Sequence, residues 1–449
     1  MTASRDMAHR LTFPELDREI VAQPDENVFQ SARRNGLRIV GACGGRGTCG
    51  TCVVRVVEGR IEGGHSRQKW LRACQMHVRS DCTLEVAPRS LAPVVRAEAD
   101  ASGPREVLAL DPDVTSCDVA VPPATLVDNI SDVDRVLRAA GQPGLSVDLT
   151  AARNVSALLR ASERDDQWTL SMRLRGREVI DLAPAGSPAL GLAVDLGTTN
   201  AAAFLINLET GERMASLGIE NPQTAWGADL ISRINAASKS GPNGEALRKA
   251  AVTAVSALAH DLCHAVGARP ECIVDVVICG NTAMHHLLLG LPVHQLGRAP
   301  FVAAVRDAMD VKARDLGLGV CTGAWVHLVP NVGGFVGGDH VTALLATEDR
   351  WQSDGIALVM DIGTNTEISL IHDGRILSAS CPSGPALEGG HISCGMRAAD
   401  GAIERVTVED GCIRVQTIGN LEPVGLCGSG VLDAVAVLLA EGIVNSRGR

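Results

Sequence analysis

Leu192-Ala193-Val194-Asp195-Leu196-Gly197-Thr198-Thr199-Asn200 reads as a buried strand that runs into a tight Asp-x-Gly-Thr turn, and Ala201 to Ile206 as the strand that leaves it. The same arrangement returns at Ile356-Ala357-Leu358-Val359-Met360-Asp361-Ile362-Gly363-Thr364-Asn365-Thr366-Glu367, followed by Ile368-Ser369-Leu370-Ile371. Two copies of one unusual hairpin point to a duplicated domain. The turn has a chemical purpose. Glycine lets the backbone approach a phosphate closely, and the amides and hydroxyls that follow donate to its oxygens. An aspartate fixed at the end of a buried strand can hold Mg2+ directly or through water. Facing copies would grip a polyphosphate from two sides. A lone Asp-x-Gly-Thr closes ordinary hairpins, so the pairing carries the weight. The chain has no G-x-x-x-x-G-K-[ST] run, which excludes a P-loop.

The pair resembles the two phosphate motifs of the actin, hexokinase and Hsp70 superfamily, whose ribonuclease-H-like lobes close over ATP. That resemblance implies that Asp195 and Asp361 position metal or water. It implies too that Gly197, Thr198, Thr199, Gly363, Thr364 and Asn365 cradle phosphate, with Glu367 as a supporting acid. Other glycine-bearing segments lie nearby. Gly280 to His286 follows the strand Cys272–Cys279, and its adjacent histidines should face different ways on a helix, one a surface and one a core residue rather than a metal pair. Asn331 to Asp339 reads as a hinge, a cleft wall or a plain loop. Ser383 to Gly390 is similar, and Gly425 to Gly430 enters a helix, where a Gly-Ser-Gly turn is either an anion site or simple helix entry.

A second motif lies far upstream. Cys43-Gly44-Gly45-Arg46-Gly47-Thr48-Cys49-Gly50-Thr51-Cys52 places three thiols in a glycine loop that can wrap an inorganic core. A two-iron cluster needs four ligands, and Cys74 is the favoured fourth, with Cys82 its rival. Cys82 sits in an alternating strand pattern, where a cysteine serves as a small hydrophobe. Zinc sites usually pair two CxxC or CxxH units, which this spacing lacks. The loop resembles the [2Fe-2S] ferredoxins, with the longer first spacing of the adrenodoxin-like branch.

At 449 residues the chain needs several domains. Aromatics are 2% with no Tyr, and the net charge is −11, so a nucleic-acid partner is excluded on composition. The charge is uneven, since residues 1–90 hold 14 Lys+Arg against 10 Asp+Glu while the remainder is strongly acidic. No signal-peptide pattern and no apolar run near the ~18 residues of a membrane helix is visible, which predicts a cytoplasmic protein without a membrane partner. In that compartment the 14 cysteines are not a disulfide framework.

The order of elements predicts a multidomain α/β and α+β protein. A β-grasp ferredoxin-like domain spans residues 1–88, with strands in 9–23, a helix from Asn27 to Arg34 capped by Asn27, a strand Cys52–Val57 and another at 83–86. A Pro/Ala-rich linker covers 89–106. A small spacer domain covers 107–186, with a helix Ser131–Ala140 and a strand Trp168–Leu174. The first ribonuclease-H-like lobe takes 187–345 and a partial second lobe 346–449.

The combination resembles the reductive activators of corrinoid proteins across essentially the whole chain, most specifically in residues 37–75 and 191–434. The resemblance implies a [2Fe-2S] cluster on Cys43, Cys49, Cys52 and Cys74, and ATP with Mg2+ in the two-lobed body. Its implied function is ATP-dependent transfer of one electron from the cluster to Co(II) of a corrinoid methyl-transfer protein, regenerating Co(I). An upstream electron donor is then required, and a homodimer is open. In that family the second lobe continues well past the Gly-Ser-Gly helix and supplies the adenosine-binding segment. Here the sequence stops at Glu441 to Arg449, so either it is a fragment or tight nucleotide binding has been lost. The alternative functions are a ferredoxin-type electron carrier with a vestigial nucleotide domain, and a small-molecule kinase, for which no acceptor site is visible.

Overall fold

The computed structural model describes residues 8–39 except 17, 25, 36 and 38, then 52–62, 70–87, 110–161, 167–352 except 228, 355–384 and most of 387–449. Cys43, Cys49, the whole of the predicted linker 89–106 and part of Ser383–Gly390 lie outside the described residues. The head is a mixed sheet built from β1 (His9–Phe13), β2 (Arg18–Ala22), β3 (Val53–Glu58), β4 (Trp70–Arg72) and β5 (Cys82–Val86), in the order β2-β1-β5-β3-β4. Helix α1 (Val28–Arg34) packs beneath it. It starts where the sequence places it, because Asn27 and Gln30 bond reciprocally: Gln30 N donates to Asn27 Oδ1 and Asn27 N to Gln30 Oε1. Val28, Phe29 and Ala32 are buried with Leu11, Val54 and Leu84 in one core.

The next unit carries β6 (Val114–Val121), α2 (Asp132–Ala139), β7 (Ser146–Val147), α3 (Leu149–Ala161), β8 (Trp168–Arg175) and β9 (Glu178–Pro184), with strand order β6-β8-β9-β7. Ser131 caps α2 by accepting from Asp134 N. The unit is latched to the body. Lys312 Nζ donates to Glu178 Oε2 at 2.9 Å, Arg314 pairs with Asp148 at 2.8 Å, and Arg173 reaches the carbonyls of Pro188 and Glu271. These interlocked ion pairs are largely removed from water, so they fix orientation more than they add stability.

The first lobe has the sheet order β12-β11-β10-β13-β15-β14. Its strands are β10 (Leu190–Leu196), β11 (Asn200–Asn207), β12 (Arg213–Glu220), β13 (Ile273–Cys279), β14 (Met309–Lys312) and β15 (Trp325–Leu328). Helices α4 (Leu230–Lys239), α5 (Gly241–Ala265), α6 (Thr282–Leu289) and α7 (Ala313–Leu316) belong to it. Strands β10, β13 and β15 run parallel, with Leu192, Val194, Val276, Ile278, Val326 and Leu328 buried in the core on one face, while Ala193, Asp275, Val277 and His327 on the other are only partly covered or exposed. Helices α8 (Gly338–Ala346) and α9 (Glu348–Trp351) lead to the second lobe, so the predicted boundary after residue 345 falls inside α8. The second lobe repeats the antiparallel meander as β16 (Ile356–Ile362), β17 (Asn365–His372) and β18 (Arg375–Pro382). A second small sheet follows, from β19 (Ala402–Glu409), β20 (Cys412–Thr417) and β21 (Gly425–Leu426), and then α10 (Gly428–Ala440). Among the described residues no helix is long and apolar enough to cross a membrane.

Candidate functional site

Strands β10 and β16 end at matching turns, and the two turns face each other across a cleft of about 200 Å3. Asp195, Gly197, Thr198, Thr199, Asp361, Gly363, Thr364, Asn365 and Glu367 all line it. The hydroxyls of Thr199 and Thr364 lie 3.0 Å apart, a hydrogen bond joining the two turns. Gly197 is required by its surroundings, since a Cβ there would stand 2.6 Å from Asn200 O.

The two hairpins are not identical. Leu196 pairs with Ala201 in the first, but Ile362 pairs with Thr366 in the second, whose loop is one residue shorter. The consequence falls on the acids. Asp195 faces Ala202 across the ladder, whereas Asp361 faces Glu367. Like charges directly opposite one another repel. Glu367 is nearly inaccessible, burial pushes its carboxyl up to about 7, and Asp339 and Asp361 push in the same direction against a hydrogen bond from Ser380.

Asp339 is a fourth acid that sequence reasoning passed over, although it closes the glycine-rich stretch singled out there. Long-range backbone bonds put it in the cleft. Asn281 caps α6 by accepting from Ala283 N and donates from Nδ2 to Phe335 O, Thr282 Oγ1 donates to Gly333 O, and Gly338 N donates to Gly280 O. Gly337 fits only without a side chain, because a Cβ would meet Asn281 Cα at 2.5 Å. The loop is therefore a cleft wall pinned to α6. Its one local signal was an aspartate in the first turn of a helix after Gly-Gly.

The acids share one electrostatic character. Asp195 is open to the cleft, yet the protein packed around it pushes its carboxyl up to about 7 by burial, with Asp339 and Asp361 adding repulsion. Asp339 is pushed up to about 6, mainly by burial, and Asp361 is raised by the same cause. Among the described residues no lysine or arginine lines the cleft. Four carboxyls held above their ordinary range, with His340 opposing the shift only at Asp361, form a site that a divalent cation would relieve. Among the described residues no three Asp, Glu, His or Cys side chains converge on one point tightly enough to hold a metal. Mg2+ does not require such a group, since it keeps several waters and takes one or two carboxylates plus phosphate oxygens.

His285 and His286 are both buried, with Nδ1 atoms 3.3 Å apart, so neither is the surface residue that helix geometry predicted. Helix α6 is enclosed almost all round, which leaves no solvent face for either ring. His286 bonds to Thr282 O and accepts from Ala304 N, which fixes its ring. His340, next to Asp339, lies 2.7 Å from Ser369 Oγ and ties α8 to β17. The Gly425–Gly430 turn packs on the second small sheet, with Gly430 against Ile403 O, and is absent from the cleft lining.

In the head, Cys52 precedes β3 and is buried, and its carbonyl accepts from Ala73 N at 2.7 Å. The next residue is Cys74, also buried. Cys82 lies elsewhere. Its sulfur packs against Gly59, at the far end of β3, and reaches the carbonyls of Arg60 and Ser80. The six residues of β3 lie between Cys52 and Gly59, a separation of seven steps or roughly 23 Å at about 3.3 Å per residue. A cluster only a few ångströms across fits Cys52 with Cys74, and does not fit Cys52 with Cys82.

Comparison with known proteins agrees with both halves. Residues 13–79 match the 2Fe-2S iron-sulfur cluster binding domain, and residues 104–187 the RACo linker region. Residues 190–349 match the RACo middle region, and residues 355–449 the C-terminal ASKHA domain of RACo. The corrinoid activation enzyme RamQ of Eubacterium limosum is 30% identical over 98% of this chain and 72% of its own length. The [Co(II) methylated amine-specific corrinoid protein] reductase of Methanosarcina barkeri is 26% identical over 57% of this chain and 51% of its own. The solved reductive activator for corrinoid, iron-sulfur protein superposes with a TM-score of 0.66 at 30% identity, covering 98% of this chain and 74% of that one. With a ferredoxin head, a linker unit and an acid-lined cleft between paired phosphate turns, the chain belongs to the RACo family of reductive activators of corrinoid proteins.

Proposed function

We infer that this protein reactivates a corrinoid protein, passing one electron from a [2Fe-2S] cluster in the head to Co(II) in an ATP-dependent step. The observation that carries the reading is the joining, in one chain, of a cysteine head to a cleft where two phosphate turns meet at Thr199 and Thr364. When bound, the cluster supplies a one-electron donor and Mg-ATP a source of binding and hydrolysis free energy.

The chain's own residues divide the work. Cys43, Cys49, Cys52 and Cys74 hold the cluster, and the β3–β4 pairing that sets Cys52 beside Ala73 brings the last two together. Asp195 and Asp361 position Mg2+ or its water from opposite turns, and Asp339 adds a third acid from α8. Gly197, Thr198, Thr199, Gly363, Thr364 and Asn365 offer amides and hydroxyls to phosphate. Glu367, hydrogen-bonded by Ser380, keeps a proton near neutrality and so lowers the charge that Asp361 must tolerate.

Nucleotide can drive an unfavourable electron only by favouring one conformation of the activator and its partner over another. Each ~59 mV of uphill potential demands about a tenfold preference of that kind. Closure of the turns on phosphate is one source of it, and the N-terminal segment, basic where the rest of the chain is acidic, would serve first a donor and then the corrinoid protein. Electron balance requires an upstream one-electron donor to return the cluster to its reduced state. Anaerobic mixing of the dithionite-reduced protein with a Co(II) corrinoid protein and Mg-ATP should produce the Co(I) absorption band. Its absence with a protein that holds both iron and nucleotide would overturn the reading.

A further inference from the structure

The first phosphate turn is held from behind through three consecutive carbonyls. Gly197 O accepts from Asn221 Nδ2 at 2.7 Å, Thr198 O from Arg233 Nη2 at 2.5 Å, and Thr199 O from Asn221 N at 2.8 Å. In a trans peptide the N–H points away from the preceding carbonyl. Drawing these three oxygens back therefore turns the N–H groups of Thr198, Thr199 and Asn200 toward the cleft that all three residues line.

Asn221 and Arg233 are both fully buried. Arg233 is fixed on every side: Nε donates to Gly227 O at 2.9 Å, and Nη1 lies 3.4 Å from Gln223 Oε1 and 3.3 Å from Met284 Sδ. Among the described residues no carboxylate stands within ion-pair distance of it. Asp229 and Glu220 act on it only from farther away. A buried guanidinium without a carboxylate beside it is costly, and an anion on the far side of the turn would compensate it in a medium of low polarity. The acids that line the cleft repel phosphate, so a cation behind the turn supplies attraction that the lining itself lacks.

We propose that Arg233, with Asn221, is the positioning residue that presets the first turn for a polyphosphate, Asn221 and Arg233 by holding its carbonyls and Arg233 also by its charge. This rests on the nucleotide reading above. Of the turn, Arg233 touches only the backbone, at Thr198 O, so its contact with the turn acts on the ligand through Thr198.

The test uses the iron-loaded protein and its Arg233→Met, Arg233→Lys and Asn221→Ala variants. Calorimetry with Mg-ATP and with Mg-tripolyphosphate is read at a temperature well below unfolding, and dithionite EPR of the cluster and thermal unfolding are recorded alongside. Arg233→Met should weaken both ligands by at least tenfold and by the same factor, with the cluster signal unchanged. Arg233→Lys keeps the charge without the fork and should regain part of that loss. Asn221→Ala should lose at least threefold. A purely structural role would lower the unfolding midpoint and leave both affinities within twofold of the parent, which would overturn the proposal. Should Arg233→Met fail to fold, the same criterion applies to the Lys and Asn221 variants. If the parent itself binds neither ligand, the nucleotide reading fails. If the parent binds and the variants match it, only the role of Arg233 and Asn221 fails.

Discussion

Raising the pH from 6 to 8 should strengthen Mg-ATP binding by a factor set by the cleft acids. Asp195 must be ionised to position Mg2+, and its carboxyl is pushed up to about 7 by burial and by Asp339 and Asp361. A group at that value is ionised in about a tenth of molecules at pH 6 and about nine-tenths at pH 8, a gain of about tenfold. Asp339, at about 6, is the second acid concerned. It adds about twofold over the same interval, giving roughly 20-fold together. The nucleotide's own phosphate titrates nearby, near pH ~6. Asp195→Asn controls for this, because the nucleotide's contribution survives in it while that of Asp195 is gone. Isothermal calorimetry at pH 6, 7 and 8, with Mg2+ saturating ATP, is the assay. Asp195→Asn should bind more weakly at pH 8 and keep only the shallower slope. Equal slopes in parent and variant would refute the assignment of Asp195 to the metal.

Further outcomes follow from the same geometry. Cys74→Ser should abolish the rhombic EPR signal of the reduced cluster, while Cys82→Ser, whose sulfur packs against Gly59, should leave iron content intact; the reverse result would transfer the fourth ligand to Cys82. Gly337→Ala forces a Cβ to within 2.5 Å of Asn281 Cα. It should cost about 1–3 kcal/mol of stability by thermal unfolding and weaken Mg-ATP by displacing Asp339, and a neutral outcome would show that the loop is not pinned as described. Apo stability should fall as pH rises. Asp195, Asp339 and Glu367 hold folded values of about 7, 6 and 7 against ordinary values of 3.8, 3.8 and 4.5, so the stability they contribute is complete below about pH 4 and is lost as pH climbs through 6 to 7. Mg-ATP should remove much of that decline, and an unfolding midpoint that rises from pH 5.5 to 8 without ligand would contradict the sign.

How much was legible depends on the range of the interaction. Asn27 announced its helix because a cap is a contact between residues three apart. The paired turns were legible for a similar reason, each being a short stretch whose glycine and hydroxyls explain themselves. Asp339 was not, since its place depends on the bond from Gly338 N to Gly280 O, which no local pattern encodes. Arg233 and Asn221 were invisible too, because they serve the turn by reaching carbonyls 35 and 24 residues away. The histidine pair misled for another reason: helix periodicity says which way a side chain points, but not whether anything covers it. The two candidate cluster cysteines, Cys74 and Cys82, differ mainly in strand register, which the sequence alone leaves open.

The claim at the centre is that the head and the cleft work as one device, and the yield of Co(I) per reduced cluster tests it most directly. With the protein reduced, excess reductant removed and a Co(II) corrinoid protein added, the absorbance should show up to one Co(I) per cluster in the presence of Mg-ATP and almost none without nucleotide. Equal yields with and without Mg-ATP would contradict the account.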